Sequence, residues 1–144
     1  MLFKRLNRTD AERIFAVMQA NAAGIAADDV VTLDLTAASV DGVKVIQPVT
    51  ANFKAVVGVA DAAIANGAYG LVQIFGYRST SRIGRTDTTY ASGEALTPVT
   101  AQDWLSSISS VTNAAYQPSF VLLESVATSI SSDTISKKIF IRCM

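Results

Sequence analysis

The sequence predicts a mainly β protein: a small β-sandwich or barrel preceded by an N-terminal helix and arm. Three observations carry this. From Val30 onward, apolar and polar residues alternate with a period of two, the spacing of half-buried strands. Turn signals punctuate that alternation, among them Asp41-Gly42, Asn66-Gly67 and Gly93. Helical spacing is strongest near the start. The expected division is a basic arm with an amphipathic helix over 1–24 and a β-domain over 25–144.

Thr9-Asp10-Ala11-Glu12 has the form of a capping box, in which the threonine hydroxyl accepts from the N3 amide and the glutamate reaches back. Ile14, Phe15, Val17 and Met18 follow at helical spacing, and Gly24 is a stop signal. A helix of about a dozen residues is marginal alone in water, so its apolar stripe has to dock somewhere. The lead-in from Met1 to Arg8 reads as a basic arm. Its Phe3, Lys4, Arg5 and Arg8 are candidate partner contacts.

Val31, Leu33 and Leu35 alternate with Thr32, Asp34 and Thr36, which predicts a strand with one buried face. Val43, Val45 and Val49 alternate again after Asp41-Gly42, and Pro48 marks an edge or a strand end there. Strands are expected over Phe53–Val59 and Tyr69–Tyr77. On the second, Tyr69, Leu71, Phe75 and Tyr77 share one face, and Gly70, Val72, Ile74 and Gly76 the other. Glycines inside apolar strands mark close approach of a backbone or ring, so Gly58, Gly70 and Gly76 are expected to be constrained, as is Gly67 in its turn. A short strand at Thr88–Ala91, a helical turn at Ala101–Ile108, and strands at Phe120–Glu124 and Lys138–Arg142 complete the pattern. Its short strands and turns suit a sandwich or barrel, and no internal repeat suggests a solenoid.

Half of the 144 residues are apolar and 17% are charged, against about 25% in ordinary soluble domains. Ser, Thr and Ala fill positions that Lys and Glu would take on most surfaces. Such an exterior suits either a covered interface or a Ser/Thr-coated sheet. Net charge is zero, so no global field draws the chain to nucleic acid or an anionic membrane. The Ser-rich stretch from Trp104 to Leu123 lacks the continuous apolar span of a bilayer helix. No basic-then-apolar leader opens the chain, and the single Cys143 suits a reducing compartment such as a cytoplasm.

The chain has no histidine, which removes the commonest general base and metal ligand. No serine sits in a nucleophile elbow, and Gly67-Ala68-Tyr69-Gly70 lacks the spacing of a phosphate loop. Asp28-Asp29 has no calcium-loop spacing, and Glu94, Asp103 and Glu124 are isolated acids on separate elements. The expectation is therefore no enzyme, no cofactor and no metal. Arg78, Arg82 and Arg85 lie in a Ser/Thr/Gly-rich connection expected to project, either as a solvated loop or as a partner contact. With Tyr77 and Tyr90 they make the nearest approach to a single-stranded nucleic-acid surface.

Val56-Val57-Gly58-Val59-Ala60, followed by Ile64-Ala65-Asn66-Gly67-Ala68-Tyr69-Gly70-Leu71-Val72-Gln73-Ile74-Phe75-Gly76, resembles a pattern in small structural proteins of tailed-bacteriophage virions, including capsid decoration (cement) proteins. Ala91-Ser92-Gly93-Glu94-Ala95-Leu96 resembles the next turn of that pattern, and Phe120–Val126 with Lys138–Arg142 its closing strands. The resemblance covers Phe53 to Arg142 and leaves out the N-terminal segment. It implies a β-barrel or sandwich that sits as a trimer on the major capsid protein at the virion surface, without catalytic residues, nucleic acid or membrane. Two alternatives stay open. One is a tail or head–tail joining protein. The other is a β-sandwich that binds carbohydrate or a host surface, which Trp104, Tyr90 and Tyr116 grouped on one exposed face would favour.

Overall fold

The computed structural model describes residues 12–36, 41–84, 89–108, 119–126 and 134–143. The element predicted as a helix is a strand. Arg13–Ala20 forms β1, which pairs antiparallel with β5 (Tyr69–Arg78) from Arg13 opposite Gly76 to Gln19 opposite Tyr69. Ile14, Phe15 and Val17 are strand formers, and a long ladder satisfies more backbone than a marginal helix could. Thr9 to Ala11 of the expected capping box, and the arm before them, lie outside the described residues.

Five strands close into a barrel. β1 pairs parallel with β3 (Lys44–Ile46), β3 pairs with β2 (Val30–Leu33), β2 with β4 (Val56–Ala60), β4 with β5, and β5 returns to β1. Its interior holds Met18, Ala20, Val31, Val45, Ala60 and Val72. Small residues suit so narrow a barrel, whose inner side chains leave little room. Ile25 and Ile64, in the loops after β1 and β4, bridge through paired backbone hydrogen bonds of 2.9 and 2.8 Å and join the same core. Met18 and Ala20 belong to this core, so the 13–20 segment is part of the barrel rather than an appendage.

The remaining strands surround a second core. β11 (Ile139–Arg142) pairs with β5 and with β9 (Phe120–Leu122), β9 with β7 (Ala95–Pro98), and β7 with β8 (Leu105–Ser107). β8 runs parallel to β6 (Arg82–Ile83), and β6 pairs with β10 (Ile135–Ser136). Because β6 continues β5 and β10 leads into β11, these two ladders form one run, joined by Lys137 N donating to Ser81 O at 3.0 Å. The flanking strands thus curl back onto the continuation of β5. Phe120, Leu122, Ile139, Ile141, Leu96 and Leu105 fill this second core, together with Val30 and Val59 from the outer wall of the barrel.

Several local expectations shift. β2 is buried on both faces, since Val30 faces the second core, Val31 the barrel, and Thr32 is sealed as well. The strand expected from Phe53 begins at Val56; Thr50–Ala55 is a 3-10 helix, tied by Asn52 Nδ2 donating to Leu33 O at 3.0 Å. No helical turn follows Ala101, whose φ of 57° makes a tight turn before β8. Of the strand expected at Thr88–Ala91, the described residues 89–91 hold one isolated bridge, Tyr90 with Val126. On β5 the face assignment breaks, because Ile74 is an extra residue between the pairs Phe15–Gln73 and Ile14–Phe75. This bulge turns Gln73 and Arg78 to one side and puts Phe75 and Tyr77 on the other.

Candidate functional site

The charged residues assemble at the junction between the barrel and the flanking strands. Asp28 and Asp29 end the loop before β2, Asp61 follows β4, Arg78 ends β5, Arg82 opens β6, and Asp103 precedes β8. Arg78 is only 5% exposed. Its Nε and Nη2 donate to Asp28 Oδ1 at 3.2 and 2.6 Å, and its Nη1 donates to Asp61 Oδ1 at 3.2 Å and Gln73 Oε1 at 3.3 Å. Nη2 also donates to Ala60 O at 2.9 Å. The fork shape of the guanidinium is what lets one side chain serve so many acceptors. Thr80 Oγ1 adds a hydrogen bond to Asp28 Oδ1 at 2.9 Å.

Arg82 serves a second pair of carboxyls. Its Nη1 hydrogen-bonds Asp103 and lies 3.1 Å from Asp29 Oδ1. Asp29 Oδ2 accepts from Ala26 N at 2.7 Å, whereas its sealed Oδ1 accepts no hydrogen bond. Burial, above all, pushes the Asp29 carboxyl up to about 6. The neighbouring Asp103 carboxyl adds to that rise, while the Ala26 amide and Arg82 oppose it. A pocket of about 130 Å³ opens beside this pair, lined by Asn21, Ile25, Asp29, Val30, Gln47 and Asp103.

Two of the mid-chain arginines expected to face a partner fall within the described residues. Arg78 is buried at the end of a strand and Arg82 lies in β6, and both are engaged by carboxylates of their own chain. Arg85, Phe3, Lys4, Arg5 and Arg8 lie outside the described residues. The glycines behave as close-approach positions in three cases. A Cβ at Gly58 would collide with the Gln73 carbonyl, and one at Gly76 with the Glu12 carbonyl. At Gly70 the obstacle is the Ile64 side chain, and no positive φ is involved. Gly67, with φ of 78°, completes the Asn66-Gly67 turn in open space.

The other acids are spent locally. Glu94 accepts from Ala91 N at 3.0 Å and from the Ser107 hydroxyl, and Glu124 accepts from Lys138 N at 2.9 Å, which holds its carboxyl below the usual range. Asp103 meets Asp29, and neither Glu94 nor Glu124 joins them. Burial beside the second core pushes the Cys143 thiol up to about 12. Among the described residues no group of three or more His, Cys, Asp or Glu could hold a metal, and no helix is long and apolar enough to cross a membrane. The described members of the aromatic set that would favour sugar do not share an exposed face. Tyr90 is buried and donates to Gly84 O at 2.9 Å, Trp104 packs its ring on Gly84, and Tyr116 lies outside the described residues.

One surface feature went unread in the sequence. Val17 on β1 sits directly opposite Leu71 on β5, with Tyr69 next to Leu71 on the same face. They are 61%, 47% and 63% exposed, an apolar patch on the barrel wall. Tyr69 and Leu71 were legible as one strand face, but Val17 was hidden by its helical spacing. Compared with known proteins, the chain matches no family model, and no curated protein is significantly similar to it.

Proposed function

We propose that this chain is a non-catalytic virion component: a capsid decoration protein that binds the outer lattice of a tailed-phage shell as an oligomer, most simply a trimer, and stabilises it. The observation that carries the reading is the patch of Val17, Tyr69 and Leu71 on the wall of the closed barrel. Solvent-facing apolar side chains gathered on neighbouring strands mark contact surfaces more often than chance exposure does. A second copy is the occupant the charge balance favours, because a chain of zero net charge puts no global repulsion between copies. The Gly-rich turn pattern of Val56 to Gly76, which forms β4, its loop and most of β5, points to the same class of protein. Repeated weak contacts to one lattice would then raise avidity steeply, and the shell would be stabilised by mass action.

Light scattering of the purified chain tests this. A trimer whose mass does not change on dilution is expected, and the double variant Val17→Glu, Leu71→Glu should be monomeric with an unchanged far-UV circular dichroism spectrum. A monomer at every concentration would remove the oligomeric reading. A trimer that survives both substitutions would move the interface off this wall.

A further inference from the structure

Besides the β5–β11 ladder, the barrel and the flanking strands meet along a second seam, between residues 29–30 and 48–50 on one side and 100–103 on the other. Val30 N donates to Asp103 O at 3.2 Å, Ala101 N donates to Pro48 O at 2.9 Å, and the hydroxyls of Thr50 and Thr100 are 2.5 Å apart. The carboxyls of Asp29 and Asp103 meet at this seam, from loops distant in sequence, with Arg82 against both. Two ionised carboxylates on one guanidinium nitrogen repel each other, and one proton on the pair removes that repulsion. Asp29 Oδ1 is sealed from water and accepts no hydrogen bond, so burial disfavours a full negative charge on this carboxyl.

The charges that face the pair are few. Arg82 from β6 is the cation in contact. Asp28, next in the chain, is turned to Arg78 and Thr80, and Asp61 also pairs with Arg78. Asn21 and Gln47 line the adjoining pocket as neutral amides, and Asp34 accepts from Asn21. With one proton on the pair, the positive charge of Arg82 balances the single carboxylate. Without it, two carboxylates crowd one guanidinium, one of them from the buried Asp29, and the balance is lost.

We propose that the Asp29–Asp103 pair, gripped by Arg82, is a proton-operated latch on the seam between the barrel and the flanking strands, closed in mildly acidic solution and loosened toward neutral pH. The proton moves between solvent and the carboxyl pair, and no other bond changes. The direction follows from linkage. The folded carboxyl of Asp29 is raised from 3.8 to about 6, so its stabilisation is complete below the lower value and is lost as the pH climbs through the upper one.

Two measurements test the latch on the whole chain. The first follows the side-chain carbon of Asp29 by NMR through a pH titration. A midpoint near 6 is expected, and a midpoint in the ordinary carboxylate range near 4 would overturn the proposal. The second follows hydrogen exchange at the Val30 amide, which crosses the seam, corrected for the intrinsic pH effect. Its protection should fall by about tenfold or more from pH 5 to 7, since raising a pKa by one changes the linked opening equilibrium by a factor of about ten. The Val72 amide inside the barrel serves as the internal reference. Asp29→Asn places a permanent amide donor beside Asp103 and should flatten the Val30 profile. An unchanged profile in that variant would overturn the latch. If Asp29→Asn fails to fold, Asp103→Asn takes its place with the same two outcomes, and the titration of the unmodified chain decides in either case.

Discussion

Replacing Arg78 by methionine tests the buried ion-pair network at the end of β5 directly. The side chain is nearly sealed, and the substitution leaves its acceptors behind. The carboxylates of Asp28 and Asp61 are 30% and 41% exposed, so water can partly replace the guanidinium there. Ala60 O keeps the Asp28 amide at 3.0 Å, but Gln73 Oε1 cannot rehydrate so readily, and a buried polar group left unsatisfied costs about 1–3 kcal/mol. Removing one partner of a buried ion pair costs about 3–5 kcal/mol, and the exposure of both carboxylates pulls this case to the lower end. A loss of about 3 kcal/mol is therefore expected. With a urea slope of about 2 kcal/mol/M, the denaturation midpoint should fall by about 1.5 M. Arg78→Lys should recover part of the loss, since an ammonium keeps the charge but cannot serve two carboxylates as a fork does. A midpoint within about 0.3 M of the unmodified chain would match an exposed substitution, typically within about 0.5 kcal/mol, and would refute the buried network.

Three further outcomes follow from the same packing. Gly58→Ala puts a methyl group against the Gln73 carbonyl of the neighbouring strand, where backbone has to move; the expected loss is about 1–3 kcal/mol in chemical denaturation. Deleting residues 1–24 removes β1, with Met18 and Ala20 of the barrel core, so the product should lack a cooperative unfolding transition. A folded truncation product would show that the barrel closes without β1. Cys143 should react slowly with an aromatic disulfide reagent at pH 8 and quickly once urea unfolds the chain. A rise from 9.0 to about 12 lowers the thiolate fraction by about a thousandfold, so equal rates in both states would contradict its burial.

The β class, the turns at Asp41-Gly42 and Asn66-Gly67, and the strands around Val30, Tyr69, Phe120 and Ile139 were legible in the sequence. Each rests on local chemistry. A two-residue alternation has to put one set of side chains on one face, and Gly42 and Gly67 take positive φ where the chain reverses. The constrained glycines at 58 and 76 were legible for a similar reason, since a bare Cα inside an apolar strand marks a close neighbour. The neighbour itself, Gln73 or Glu12, was not.

What local chemistry could not decide is where competing local signals meet a distant partner. The run from Ile14 to Met18 suits a helix or a strand equally well in its apolar spacing, and the ladder to β5 settles it by satisfying the backbone along the whole segment. Arg78 looked like the start of a projecting loop. A bulge at Ile74, visible only in the pairing of β1 with β5, turns it inward, where Asp28 and Asp61 neutralise it. Asp29 and Asp103 carry no signal of each other in the chain, because their meeting depends on the barrel and the flanking strands being packed together. Sequence alone determined which residues can pair in a sheet and where the chain can turn. Tertiary structure alone decided which charges face each other, since burial and Coulombic contact depend on distance in space and not on separation along the chain.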